Sequence, residues 1–274
     1  MTVHDHSTVT RVTSRDGTEI ACWTSGDGPP LVLVHGAISD HARWRPLLPY
    51  LEPHATVHAM DRRGRGASGD APHYHVEREF EDVAAVVDAV AEASGSAVDV
   101  YGHSYGGLCA FGAATLTSNV CRLVLYEGWP AVDLEAYAFP PGVADRLDAL
   151  LAEGDRDAAV ELVCREVAMM SDREIAALRV QPAWQARMAA VHTVIRELPS
   201  FADSPFDPEQ AATIAVPTLL LIGSESDDPS AAEVEIVAAA LPDARIEVLE
   251  GQKHVADVLA PEVFAASLLA LLRA

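Results

Sequence analysis

Ser104 stands in Gly102-His103-Ser104-Tyr105-Gly106, where the short apolar run Val98 to Tyr101 gives way to a helical stretch from about Gly106 to Leu116. A sharp strand-to-helix turn strains its central residue and lifts that side chain clear of the sheet. Glycines two positions either side remove the Cβ atoms that would collide in so tight a turn. The serine oxygen then lies at a helix N-terminus, where partial positive charge and N–H groups favour a developing anion. These features suit a nucleophile.

Nucleophilic serine chemistry needs a base, a group that orients the base, and donors for the oxyanion. His254 is the candidate base among 11 histidines, because Gly251-Gln252-Lys253-His254 follows the last predicted strand. Two positions compete for the acid. Glu127 directly follows the apolar run Arg122 to Tyr126, where a carboxylate is costly unless it serves a partner. Asp227, with its neighbour Asp228, follows the run Thr218 to Ile222, but an acid is expected one residue earlier, at Ser226. Asp227-Asp228-Pro229 also reads as a helix cap followed by proline. Glu127 is favoured and Asp227 stays open. The oxyanion donors are expected to be the backbone N–H groups of Tyr105, next to the nucleophile, and Ala37, after His35-Gly36.

The elements that must position these residues follow from periodicity. Val9 to Ser14 and Thr18 to Thr24 flank Asp16-Gly17 and read as a hairpin. Leu31 to Val34, Thr56 to Met60, Val98 to Tyr101, Arg122 to Tyr126, Thr218 to Ile222 and Arg245 to Leu249 read as strands. Helical spacing falls on Trp44 to Leu51, Phe80 to Ala93 and Pro261 to Leu272. This alternation predicts a mostly parallel sheet flanked by helices, an α/β fold. Between about Trp129 and Thr213 no strand is evident. Helices are predicted over Val143 to Glu153, Arg156 to Met170, Asp172 to Val180 and Ala183 to Leu198. A helical insertion is best placed over the carboxyl ends of the strands, where open α/β sheets bind ligands. The expected organisation is a core of residues 1–128 and 214–274 with a lid of residues 129–213. The lid is rich in large apolar residues, Phe139, Met169, Met170 and Phe201 among them. Trp129, Trp184, Met188 and His192 are the expected substrate-lining residues.

The chain has 274 residues, half of them hydrophobic, enough for one large domain. Against 41 acidic residues stand 19 Lys and Arg, a formal charge of −22. Such a surface repels nucleic acid and anionic lipid, so neither is an expected partner. No apolar run is long enough for a membrane span, no secretory signal pattern opens the sequence, and the four scattered cysteines read as free thiols. A cytoplasmic protein is expected. A homodimer is left open.

His35-Gly36-Ala37, the Gly-rich loop Asp61 to Ser68, Gly102 to Gly107 and Gly251 to His254 together resemble the α/β-hydrolase superfamily. The motifs come in that family's order and span nearly the whole chain. The resemblance implies a helical lid inserted between two strands and a serine–acid–histidine triad. The usual member carries its acid after the strand that precedes the histidine strand. Some carry it one strand earlier, as in zearalenone-type lactone hydrolases, and Tyr126-Glu127 resembles that arrangement. Trp184 is placed where such an enzyme presents an indole to substrate. A serine nucleophile sets the chain apart from members that use aspartate, the haloalkane dehalogenases and epoxide hydrolases. The activity expected is hydrolysis of a small apolar carboxylic ester or lactone, with no metal or organic cofactor. A carbon–carbon bond hydrolase and a non-catalytic binding protein on the same scaffold are the alternatives.

Overall fold

The structure is a computed structural model and describes residues 8–136, 139–199, 203–226 and 229–272. Eight strands form one sheet: β1 (Thr8–Thr13), β2 (Glu19–Gly26), β3 (Pro30–Val34), β4 (Thr56–Met60), β5 (Val98–His103), β6 (Val120–Tyr126), β7 (Thr218–Gly223) and β8 (Ala244–Leu249). Their order is β1-β2-β4-β3-β5-β6-β7-β8. Strand β2 is antiparallel to both β1 and β4, and the rest of the sheet is parallel.

The side-chain period of two explains why the central strands are apolar throughout. Val32 and Val34 of β3 join Val83, Val87 and Phe111 on one face. Leu31 and Leu33 turn to the other face, with Trp44, Leu47 and Phe264. Helices Val76–Ser94 and Tyr105–Ala114 thus cover one side, and helix Pro261–Leu272 covers the other. Helix Val76–Ser94 starts a turn before the apolar spacing suggests. His75 caps it by accepting from the Glu77 N–H, and Gly95 closes it at φ 70°.

The helices between β6 and β7 form a third core around Val160, Val163, Ile175, Leu178 and Val191. Ile38 and Val255, from loops at the strand ends, and Val258, from the short helix Ala256–Leu259, complete it. Two helices expected here are shorter or broken. The helix from Arg156 ends at Glu166, because Met169 turns to φ 50°. The stretch Ala183 to Leu198 divides into Trp184–Ala190, a 3-10 turn Val191–Thr193 and Val194–Glu197. Three β-branched residues lie at that break, and Thr193 Oγ1 bonds back to the Ala190 carbonyl at 2.7 Å. No helix among the described residues is long and apolar enough to cross a membrane.

Candidate active site

Strand register places the key residues side by side. His103 of β5 lies opposite Tyr126 of β6, so Ser104 and Glu127 leave the sheet as neighbours. Tyr126 in turn lies opposite Leu221 of β7, and Gly223 opposite Leu249 of β8. Val34 of β3 lies opposite Gly102, which brings the loop carrying Ala37 to the same edge.

Ser104 adopts φ 54°, ψ −130° and precedes helix Tyr105–Ala114. Such backbone strain in a residue other than glycine persists only where the surroundings enforce it. The turn is compressed on every side. A Cβ on Gly106 would lie 2.3 Å from the Val34 carbonyl oxygen, and one on Gly128 only 1.9 Å from that of Ser104. Gly128 was not singled out from the sequence. Its signal is a glycine directly after the candidate acid in Glu127-Gly128-Trp129.

The carboxylate of Glu127 is buried and reaches His254 Nδ1 at 2.7 Å. With Nδ1 facing the carboxylate, Nε2 is the nitrogen left to serve a reacting group. Glu127 itself sits at φ 43°. Its Oε1 accepts the Gly223 N–H at 2.7 Å, and its Oε2 accepts the Ser226 hydroxyl at 2.8 Å. The strand end where the usual acid would lie therefore supplies donors to an acid from β6. Asp227 and Asp228 lie outside the described residues.

Two further groups hold the histidine loop. His103 Nε2 bonds the His254 carbonyl at 2.7 Å, and since a carbonyl only accepts, Nε2 carries the proton. Burial, with Arg43 and His254 nearby, holds His103 well below the usual histidine range, so it stays neutral. The Tyr126 hydroxyl donates to the Lys253 carbonyl. Neither role has a local sequence signal, because both partners lie more than a hundred residues away.

A cavity of about 450 Å³ opens on this edge, lined by Ser104, His254, Ala37 and Tyr105 and walled by Phe139, Val163, Met169 and Met170 from the helical insertion. It falls in the size range of small-molecule sites. The four residues expected to line it do not. Trp129 packs into the core beneath the sheet. Trp184 is buried in the third core, its Nε1 bonded to Asp157 at 2.7 Å and its ring under Arg179. Met188 packs against that core, and His192 Nδ1 bonds the Ala189 carbonyl at 2.9 Å. Apolarity marks a helix face as buried, without saying whether a core or a cavity buries it. Phe201 lies outside the described residues.

Asp40, His41 and Asp61 converge closely enough to suggest a cation site. Asp61 is already engaged, accepting from Trp23 Nε1, the His41 N–H and the Ala67 N–H at 2.8 to 2.9 Å. Those bonds brace the Gly-rich loop against the hairpin.

A family model described as alpha/beta hydrolase family matches residues 31–267. A pimeloyl-[acyl-carrier protein] methyl ester esterase of Xanthomonas campestris is 31% identical over 84% of this chain and 89% of its own. An (E)-2-((N-methylformamido)methylene)succinate hydrolase of Acinetobacter baylyi is 28% identical over 88% of this chain and 89% of its own. Among solved structures, an alpha/beta hydrolase from Sphaerobacter thermophilus superposes with a TM-score of 0.80 at 38% identity, covering 95% of this chain and 99% of that one. The strained serine turn, the sheet order and these matches agree, and the chain belongs to the alpha/beta hydrolase family.

Proposed function

We propose that this protein is a serine hydrolase that cleaves a carboxylic ester through an acyl-enzyme. The observation that carries the reading is one cavity holding both Ser104, in its strained turn, and His254, oriented by Glu127. The esterase activity named for the Xanthomonas relative points the same way. His254 Nε2 takes the proton of Ser104 as Oγ attacks the ester carbonyl. The N–H groups of Ala37 and Tyr105 receive the oxyanion. The carbon–oxygen bond then breaks, and the alcohol leaves with the proton from Nε2. A water attacks the acyl-enzyme, gives its proton to Nε2, and the carboxylic acid departs as Ser104 is re-protonated. Glu127 keeps the imidazole in one tautomer and stabilises its charged form. The same steps open a lactone. The helices between β6 and β7 act as the lid that shapes the substrate.

A fluorophosphonate probe tests the reading, since it labels only an activated serine. Labelling of Ser104, abolished in Ser104→Ala and accompanied by hydrolysis of simple methyl and p-nitrophenyl esters, is the expected result. An unlabelled, folded wild type would overturn it in favour of a binding protein. Cleavage of a carbon–carbon bond with esters untouched would replace the ester assignment.

A further inference from the structure

Among the described residues five arginines are buried: Arg43, Arg62, Arg63, Arg65 and Arg187. Four have a carboxylate partner. Arg43 grips Asp257, Arg62 binds Glu79, Arg63 binds Asp82, and Arg65 binds Glu197. Arg187 is different. Its side chain makes no hydrogen bond or ion pair with any of the described residues, and it is only 3% exposed.

Arg187 lies on helix Trp184–Ala190 and lines the same cavity as Ser104 and His254. The other charged residues lining that cavity are already committed. Arg43 is held by Asp257, Arg165 by Glu161 and Asp172, Glu166 by Arg146, and Glu197 by Arg62 and Arg65. An arginine stays charged under any physiological condition, and a buried charge without a partner is costly. Burial pushes its pKa below the ordinary arginine value and Arg43 adds repulsion, while Asp257 and Asp40 attract it without bonding it. Nothing among the described residues explains a guanidinium here, whereas an anion in the cavity would.

We propose that Arg187 is the anion-binding residue of this cavity, and that the ester attacked by Ser104 carries a second, ionised carboxyl group. The guanidinium fork matches a carboxylate with two parallel hydrogen bonds. A single carboxylate fits better than a phosphate dianion, because a chain of charge −22 repels multiply charged anions. The substrate is then not wholly apolar, as the sequence suggested. Its apolar length lies against Phe139, Val163 and Met170, and its charged end against Arg187. The ester assignment rests on the function proposed above, whereas the anion site stands on the unpaired arginine.

The test compares matched esters on the full chain. Monomethyl esters of the dicarboxylic acids from succinic to suberic place a carboxylate on the acyl side. Acetate esters of ω-hydroxy acids place it on the alcohol side. Each is paired with the neutral ester that ends in a methyl group, and kcat/KM is read from proton release. Wild type should favour one carboxylated ester over its neutral twin. That ratio should fall about 100-fold in Arg187→Met and less in Arg187→Lys, which keeps the charge without the fork. Free adipate should slow fluorophosphonate labelling of wild type and leave that of Arg187→Met unaffected. Arg187→Met should melt no lower than wild type, because it removes an unpaired buried charge; if it fails to fold, Arg187→Lys carries the comparison. Equal ratios in wild type and variant, or equal protection by adipate, would overturn the proposal. If Ser104 resists labelling altogether, the ester assignment falls, and a rise in Tm with adipate that is absent in Arg187→Met decides the anion site alone.

Discussion

The strand ends and the helices above them are built on different principles. At the strand ends, polar groups are held by bonds of 2.7 to 2.8 Å, as with Glu127 accepting from Gly223, Ser226 and His254. Of the four non-glycine residues at positive φ among the described residues, three lie there, Ile38, Ser104 and Glu127, and the fourth, Met169, lies in the wall. The helices between β6 and β7 are held by an apolar core of Val, Leu and Ile, and they present methionines and one unpaired arginine to the cavity. Geometry must be exact within a fraction of an ångström where bonds are made and broken, and shape suffices where a chain is selected. Under the proposed function, the difference assigns a division of labour: rate to the strand ends, and choice of substrate to the helices.

Substitutions in the two regions should separate those effects. Ser104→Ala should lower kcat by about 10⁵-fold or more with little change in fold, measured on any ester the wild type cleaves. Glu127→Gln should cost about 10⁴-fold, because a neutral amide no longer favours the correct imidazole tautomer or its charged form. Comparable loss from a substitution in the helical wall, far from Ser104, would erase the proposed division.

The sequence made the strand ends more legible than the wall. Ser104 and His254 sit in short motifs whose glycines and flanking strand are themselves local. Glu127 could be named as one of two acids because a carboxylate closing an apolar strand is anomalous by itself. Ser226 was noticed only as the position where an acid was missing. Its donation to a residue 99 positions away leaves no local trace. In the wall, large apolar residues read as a substrate surface, but Trp184 and Met188 serve the third core. Arg187 carries no apolar signal, and an unpaired charge can be recognised only when its neighbours are known. The break at Val191–Thr193 follows from β-branched residues whose helical spacing is otherwise good.

Buried and half-buried ion pairs join the two regions, Arg196 to Asp70 among them. Glu197, from helix Val194–Glu197 of the wall, reaches down to Arg62 and Arg65 beside the sheet. Glu197→Ala leaves both guanidiniums dependent on Glu79 and should cost about 3 kcal/mol in urea unfolding. An unchanged midpoint would show that the Glu197 ion pairs contribute nothing to holding the wall in place. Within the wall, Met170→Ala enlarges the cavity and should shift preference toward a longer chain by about tenfold in kcat/KM, with kcat on the best ester little changed.

The smallest effect expected is a pH dependence of stability that belongs to the strand ends. Burial, with Arg62 and Arg65 beside it and Asp61 opposing, holds His35 well below the ordinary histidine value. His103 is depressed in the same sense by burial, then by Arg43, His254 and Arg187. Both stay neutral in the folded chain while the unfolded chain takes up protons below pH ~6.5. Stability is therefore full above that pH and falls as pH drops, by about 1.4 kcal/mol per unit for each such histidine. Asp61, held low against the burial penalty by hydrogen bonds from His41 and Ala67, and Glu79, held low against the same penalty by Arg62 and Arg65, add to this only below pH ~4. Asp82 and Asp99, raised by burial, act in the opposite sense. In the wall, His192 is less buried and its depression is milder. Urea unfolding at pH 5.0 and 6.5 separates the regions. His103→Gln should flatten the slope by about 1.4 kcal/mol per unit, and His192→Gln by less. A slope that responds equally to both would mean that the charge environment of the wall constrains stability as tightly as that of the strand ends, and the contrast between them would hold only for catalysis.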